Sequence, residues 1–433
     1  MNRLIYVAFL LFLAGCSQKQ EEIYLTPDLA INYFRKVEEA CNRDNGSLWG
    51  KNLSGPVMYV DRTTRKIVAS HPDKEGLLKQ KDGVYTGTYP KELLISNTCI
   101  TYGGTVYALA PIPVPEDEFR LVNRAIHGLF HCFQQSTGFT SSGYNTVNMD
   151  EKNARLWIKL EWKALKKTLD TEGEELQLAI RDALVFKGAN REFYQKYKQD
   201  EIKFETYEGL ATFTYTLLAA DSEEQYRAKL SEYLDRVYKY PSYTRSYGSI
   251  TGALYANLLY RRGFDFKIIR SESFDLADEV KRIYGIQLPE VCRDVAGSLA
   301  LNYDVDIIKL EEEQREADIR ERIHRQISTF TEKPVVLLEL ISPYFDFEDS
   351  DIHPMDTLGT LYSAIRISDN WGKLTVEKGG CLVSNNLKLI RITSRGYKTE
   401  KNRAEGDGWH LVLNNGWELI PVNDNYIITK SMH

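Results

Sequence analysis

The hydrophobic and polar positions of this chain change period several times. From Thr26 to Gly46 the segment "TPDLAINYFRKVEEACNRDNG" predicts a helix, with Thr26 as its cap and Pro27 at its first position. The period then falls to two. "GPVMYVDRTTRKIVAS", "GVYTGTYP" and "NTCITYGGTVYALAPIPVP" are rich in Val, Ile, Thr and Tyr with turn residues between them, which predicts a small sheet. From residue 116 to about 270 the pattern turns helical, and a charged helix, "KLEEEQREADIRERIHRQISTF", closes this half. After Lys333 strand periodicity returns and runs to the C-terminus. The expectation is an α+β chain: a mainly helical domain with a small N-terminal sheet over residues 26–330, then a small β-domain over 331–433.

The β-domain carries a weak internal echo. "DNWGKLTVEKGGCL" and "DGWHLVLNNGWEL" each set an acid or amide, Gly and Trp ahead of alternating strand residues. Two hairpins of one small domain account for this. The alternative is a carbohydrate- or peptide-binding face built on Trp371, Trp409 and Trp417.

The opening "MNRLIYVAFLLFLAGC" has a short basic start at Arg3, an apolar run from Ile5 to Leu13, and small residues ahead of Cys16. This is the pattern of a secretory signal, too short for a membrane span. Leu13-Ala14-Gly15-Cys16 resembles the bacterial lipobox, which implies a signal peptide over residues 1–15, cleavage before Cys16 and lipid on its sulfur. The polar stretch that follows, residues 16–25, reads as a tether. Within it, Lys19-Gln20-Glu21-Glu22 resembles the acidic export signal of some Bacteroidetes surface lipoproteins. Several acyl chains, at roughly 0.8 kcal/mol per buried CH₂, hold a protein firmly on a membrane. The expectation is therefore an outer-membrane lipoprotein facing the periplasm or the cell exterior.

A net charge of −6 and a pI near 5.8 argue against nucleic acid as a partner. Beyond Cys16, the cysteines are Cys41, Cys99, Cys132, Cys292 and Cys381; none shows C-x-x-C spacing, so no cysteine-based zinc site is expected. A disulfide is permitted outside the cytoplasm, but the spacing assigns none.

Candidate chemistry begins in "AIHGLFHCFQ", residues 125 to 134. Pro115 followed by Glu116, Asp117 and Glu118 makes a good helix start, and Gly138 sits where a glycine terminates the far end. Val122, Ile126, Leu129 and Phe133 form one apolar stripe. His127 and His131 lie on the opposite side with Arg124, Gly128 and Gln135, and are expected to face a cleft or water. Alone, such a pair also describes two solvated histidines. Histidines four apart point the same way, however, and both can reach one zinc ion at roughly 2.0–2.1 Å. The third ligand is expected to be Glu208 in "FETYEGLATFTYTLL", where Glu205, Glu208, Thr212 and Tyr215 share a helix face and Gly-Leu-Ala lets a second helix come close. Glu161, in "RLWIKLEWKALKKTL", is the alternative.

The order of "IHGLFHCFQ", "LEWKAL", "IRDALVF", "YEGLATF" and "RSYGSITGALYANLL" resembles a group of predicted zinc metallopeptidases. There a His-Glu-x-x-His helix is followed far downstream by Glu-Gly-Leu-Ala, an arrangement similar to gluzincin-type peptidases. The likeness runs from about residue 54 to 260, with a fainter echo in "DNWGKL" and "GDGWHL". It implies a zincin-like fold, one zinc ion on His127, His131 and Glu208, and a cleft edge strand near Tyr102 to Pro111. The departure lies at Gly128, where the family pattern has the glutamate that takes a proton from metal-bound water. Glu205 or Glu161 is a candidate substitute base, and Arg245 and Tyr247 in "SYTRSYGS" are candidates to polarise a bound carbonyl. Two functions follow: a weakly active or inactive membrane-anchored peptidase, or a scaffold that binds peptide or glycan without cutting it.

Overall fold

The computed structural model describes residues 25–62, 64–90, 93–112, 118–139, 143–347 and 352–431. The expected signal peptide, the acceptor Cys16, most of the tether and the helix start at Pro115 to Asp117 lie outside the described residues. The class is α+β, as the periodicity predicts.

Helix α1 (Pro27–Asp44) begins where the sequence places it, with the Thr26 hydroxyl accepting the Leu29 N–H at 3.3 Å. Six strands follow: β1 (Val57–Asp61), β2 (Lys66–Ala69), β3 (Lys79–Lys81), β4 (Val84–Thr88), β5 (Thr98–Tyr102) and β6 (Thr105–Ile112). They form one sheet in the order β3-β4-β2-β1-β6-β5. β1 and β6 run parallel, with Val57 opposite Ala108, and the other pairs are antiparallel. The edge strands are therefore β3 and β5, and the expectation of an edge near Tyr102 to Pro111 is corrected for β6. The reason is visible in β6 itself: "TVYALAPI" is buried along its last six residues, which suits an interior strand covered on both faces. Its Tyr107 and Leu109 join Met58 and Val60 in a cluster on one side of the sheet. Ala108 and Ala110 face the helices with Val57 and Tyr59.

The helical part comprises α2 (Glu118–Ser136), α3 (Lys152–Lys167), α4 (Gly173–Phe193), α5 (Lys198–Phe204), α6 (Leu210–Ala219), α7 (Glu223–Tyr238), α8 (Tyr247–Arg261), α9 (Leu276–Tyr284), α10 (Arg293–Leu299) and α11 (Val305–Thr331). Helix α8 has no polar stripe, because "YGSITGALYANLL" is buried on every side at the centre of the helical layer. Gly138, at φ +89°, ends α2 in the left-handed conformation. The following N–H of Phe139 donates to the Gln134 carbonyl at 3.0 Å, closing the helix as the sequence predicts.

The chain divides into two compact units, through Lys309 and from Leu310 onward. In the second unit, a sheet ordered Trp417–Val422, Asn425–Lys430, Val335–Glu339, Leu389–Thr393, Cys381–Val383, Thr360–Tyr362, Ile352–Pro354 shares one core with a second sheet. That second sheet contains the hairpin Ile365–Asp369/Gly372–Val376 and the strand Trp409–Leu413. The sequence echo is thus a pair of hairpin turns. A binding face on the tryptophans is corrected: Trp371 and Trp409 are core residues whose indole N–H groups donate to the carbonyls of Glu339 (2.8 Å) and Thr393 (2.7 Å). Trp417 packs at the margin of the same core. No helix among the described residues is long and apolar enough to cross a membrane.

Candidate metal centre

Helix α2 lies between the sheet and α6, so of the two surroundings expected for its histidines, a cleft or water, open water is excluded. Val122, Ile126 and Leu129 are buried as predicted, but Gly128 and His131 are buried too, and His127 is half-buried. The wheel alone sorts positions by polarity; a helix covered on both sides buries its polar positions as well.

Three side chains converge. The ligand atoms of His127, His131 and Glu208 all lie within 4.8 Å of one another. His127 Nε2 and His131 Nε2 are 2.7 Å apart, and His131 Nε2 is 3.8 Å from Glu208 Oε2. Tyr207 stacks on the His131 ring at 4.8 Å, and Tyr215 packs against His127 at 5.4 Å.

The tautomer of His131 follows from its neighbour. The Gln134 amide NH₂ donates to the Tyr207 carbonyl at 3.0 Å, so its Oε1 must face His131 Nδ1, 2.8 Å away. An amide oxygen only accepts, so Nδ1 carries a proton and the Nε2 lone pair of the neutral ring is turned toward His127 and Glu208. A ligand histidine held in this way, through its second nitrogen, is the usual support of a metal site. Gln134 also ties α2 to the backbone just before Glu208. Sequence reading missed it, although its place three residues after His131 puts both on one helix face.

Glu208 reaches the histidines because the helix carrying it is distorted. Glu205–Gly209 forms a π-helical turn between α5 and α6. Residues three apart share a face of a regular helix. Here Glu205 instead turns into the protein, 1 % exposed, while Glu208 keeps 27 % exposure beside His131. A π turn, often found at functional sites, separates two directions that the wheel merges. The close approach expected of the glycine after Glu208 is present: a Cβ on Gly209 would lie 2.5 Å from the Gly252 Cα of α8.

Burial sets the electrostatics of the group. It holds the His127 imidazole well below the usual histidine range, with His131 and Arg124 adding repulsion. Burial also raises the Glu208 carboxyl, against the pull of His131. A His127 imidazole kept neutral and a Glu208 carboxylate made costly by desolvation are donors that a divalent cation stabilises.

The remaining candidates go elsewhere. Glu161, the alternative ligand, lies in a second buried cluster around Lys187 of α4. The ammonium contacts Glu205 at 2.5 Å, Glu201 at 2.9 Å and Glu161 at 3.4 Å, and donates to the Tyr247 hydroxyl at 2.9 Å. Tyr247 and Tyr255 hydroxyls donate to Glu161, at 3.2 Å and 2.8 Å. Arg191 joins through Glu201 and Asp275, at 2.9 Å and 2.7 Å. Glu161, Glu205 and Tyr247 are therefore structural partners of a buried lysine, and their proposed duties as ligand, base and polariser are corrected. Arg245 is exposed in the connection ahead of α8. The sequence signal for this cluster was one lysine inside the otherwise apolar "ALVFKGAN".

Gly128 has a packing reason. A Cβ there would come 2.9 Å from the Ala108 Cβ and 3.3 Å from the Thr98 carbonyl oxygen, so α2 sits on β6 and β5 at a distance only glycine allows. Beside Gly128, a disulfide joins Cys99 of β5 to Cys132 of α2, the residue after His131. Helix propensity alone favours Gly128→Ala by about 1 kcal/mol. Overpacking against Ala108 is expected to outweigh it, giving a net loss of about 1 kcal/mol by urea denaturation, and more for Gly128→Glu. A gain in stability for the alanine variant contradicts the close approach.

Comparison with known protein families, curated proteins and solved structures gives no match to this chain. The class rests on the site itself: a His-x-x-x-His helix and a glutamate from a second helix, arranged as a candidate metal centre.

Proposed function

We propose that the chain is a lipid-anchored, metallopeptidase-like protein that binds one zinc ion through His127, His131 and Glu208 and hydrolyses peptides weakly or not at all. The observation that carries this reading is the convergence of the three donors with Gln134 fixing the His131 tautomer. Two imidazoles and one carboxylate match the donor set of catalytic zinc sites that keep a fourth position open. When bound, zinc lowers the pKa of its water and polarises a carbonyl oxygen. The protein's own part is to hold the donors and exclude other chemistry. Gly128 supplies no carboxylate to move a proton, and Glu205 is committed to Lys187. A positioned general base typically contributes 10²–10⁴-fold, which is the activity expected to be missing.

One observation favours binding over cutting as the use of the cleft. β5 is an edge strand stapled by Cys99–Cys132 beside the histidines, and an open edge accepts an extended peptide by main-chain hydrogen bonds. The disulfide also supports an oxidising compartment, in keeping with the proposed export. Emission spectroscopy on purified protein is expected to find about one zinc per chain, and a peptide library to remain largely intact. Rapid cleavage overturns the low-activity reading; absence of zinc overturns the metal reading.

Anchoring has its own test. Cys16→Ser removes the proposed lipid acceptor and is expected to shift the protein from the membrane pellet to the soluble fraction, and retention in the pellet contradicts it.

A further inference from the structure

Beside His127 lies a second pocket whose charge opposes that of the protein. Tyr215, which packs on His127, also forms part of a wall between α2, α6 and α7 with Tyr233. Among the described residues, the charged groups lining this pocket are Arg120, Lys229, Glu232 and Arg236, in a chain of net charge −6. Glu232 is drawn to Lys229 at 3.0 Å. The exposed Arg236 guanidinium lies over the Tyr233 ring at 4.9 Å, and among the described residues no carboxylate lies within ion-pair distance of it. The pocket and the metal centre meet at the Tyr215 ring, which packs on His127 and also lines the pocket.

We propose that this pocket binds a carboxylate of the ligand held at the His127–His131–Glu208 centre, either the C-terminal carboxylate of a peptide or an aspartate or glutamate side chain. The proposal rests on the reading of that centre as a zinc site and adds the chemical class of what it holds. A guanidinium presents parallel N–H donors that match the two oxygens of a carboxylate, and stacking on Tyr233 holds its plane in place. Tyr215 places the cationic pocket one ring away from His127. A ligand anchored at the metal and bearing a negative group a residue or two away therefore meets Arg236, while a neutral one leaves that cation in water.

The test uses full-length, zinc-loaded protein and three fluorescein-labelled peptide hydroxamates of one sequence. One ends in a free carboxylate; one ends in an amide; the third ends in an amide and carries glutamate in place of glutamine. Anisotropy titrations are expected to show about tenfold tighter binding for a carboxylate-bearing probe than for the neutral amide. Whichever of the two acidic probes shows the gain identifies the source of the carboxylate. In Arg236→Gln the acidic probe is expected to fall to the affinity of the neutral one. Equal affinities in the wild-type protein, or a preference that survives Arg236→Gln, overturn the proposal. Zinc content is measured on every sample, and the same acid and amide peptides without the hydroxamate are titrated calorimetrically against chelator-treated protein. A carboxylate preference there without any bound zinc keeps the pocket and removes the zinc reading. Bound zinc without a preference removes the pocket and keeps the zinc reading.

Discussion

His131→Ala is expected to remove nearly all bound zinc from the purified protein, whereas Glu161→Ala leaves the zinc content at wild-type level. His131 is the most constrained member of the group: its ring is 3 % exposed, stacked on Tyr207, and held by Gln134 with its lone pair toward the other donors. Losing it takes away one of the three converging donors and leaves a cavity in place of a preset one. Glu208→Ala is expected to cost the same zinc, since its carboxylate is the third member of the group. Gln134→Ala leaves all three donors but frees the imidazole to turn or change tautomer, and a loss of about 10- to 100-fold in affinity is expected for such a supporting residue. Competition with a chromophoric chelator measures all four variants. Full zinc occupancy in Glu208→Ala together with loss in Glu161→Ala reverses the assignment.

Lys187→Met is expected to be the most destabilising substitution in the helical unit. Its ammonium is 2 % exposed and faces Glu161, Glu201 and Glu205 from α3, α5 and the π turn, with the Tyr247 and Tyr255 rings of α8 packed about it. Removing one partner of a buried ion pair costs about 3–5 kcal/mol, because the remaining charges stay desolvated. Urea denaturation reads the loss, and above about pH 8, where the Glu205 carboxyl is charged, Lys187→Met combined with Glu205→Gln is expected to recover part of it by deleting one stranded carboxylate. An additive double variant rejects this coupling. The cluster also predicts a pH dependence. Burial pushes the Glu205 carboxyl up to about 8, Lys187 opposing and Glu201 adding to the shift. A carboxyl raised on folding binds its proton more tightly in the folded state, so its contribution declines as pH rises from the ordinary carboxylate range toward 8. Glu205→Gln is expected to flatten that decline in melting temperature between pH 5 and 8.

The two experiments join at one backbone feature. Glu205 and Glu208 leave the same π turn in different directions, one into the Lys187 cluster and one toward the histidines. Lys187→Met is therefore also expected to lower zinc affinity, by loosening the turn that aims Glu208.

Local chemistry was legible in the one-dimensional chain. The Thr26-Pro27 start of α1, the Val- and Tyr-rich strands, the Gly138 terminus of α2 and the switch back to strands after Lys333 depend on period, caps and left-handed glycine, which neighbours in sequence determine. The pairing of His127 with His131 has the same origin, one helical turn. Tertiary packing decided the rest. The wheel placed Glu205 and Glu208 together, and a π turn parted them; it left the histidines facing a cleft or water, and a sheet on one side with a helix on the other enclosed them. The sequence favoured Glu208 but left Glu161 open, because a carboxylate does not specify its partner. Only the position of Lys187, 26 residues from one and beside the other's π turn, distinguished an ion-pair residue from a ligand. Gly128 read as a missing base and is a contact between α2 and β6, since the distance between a helix and a sheet is set by residues far apart in the chain.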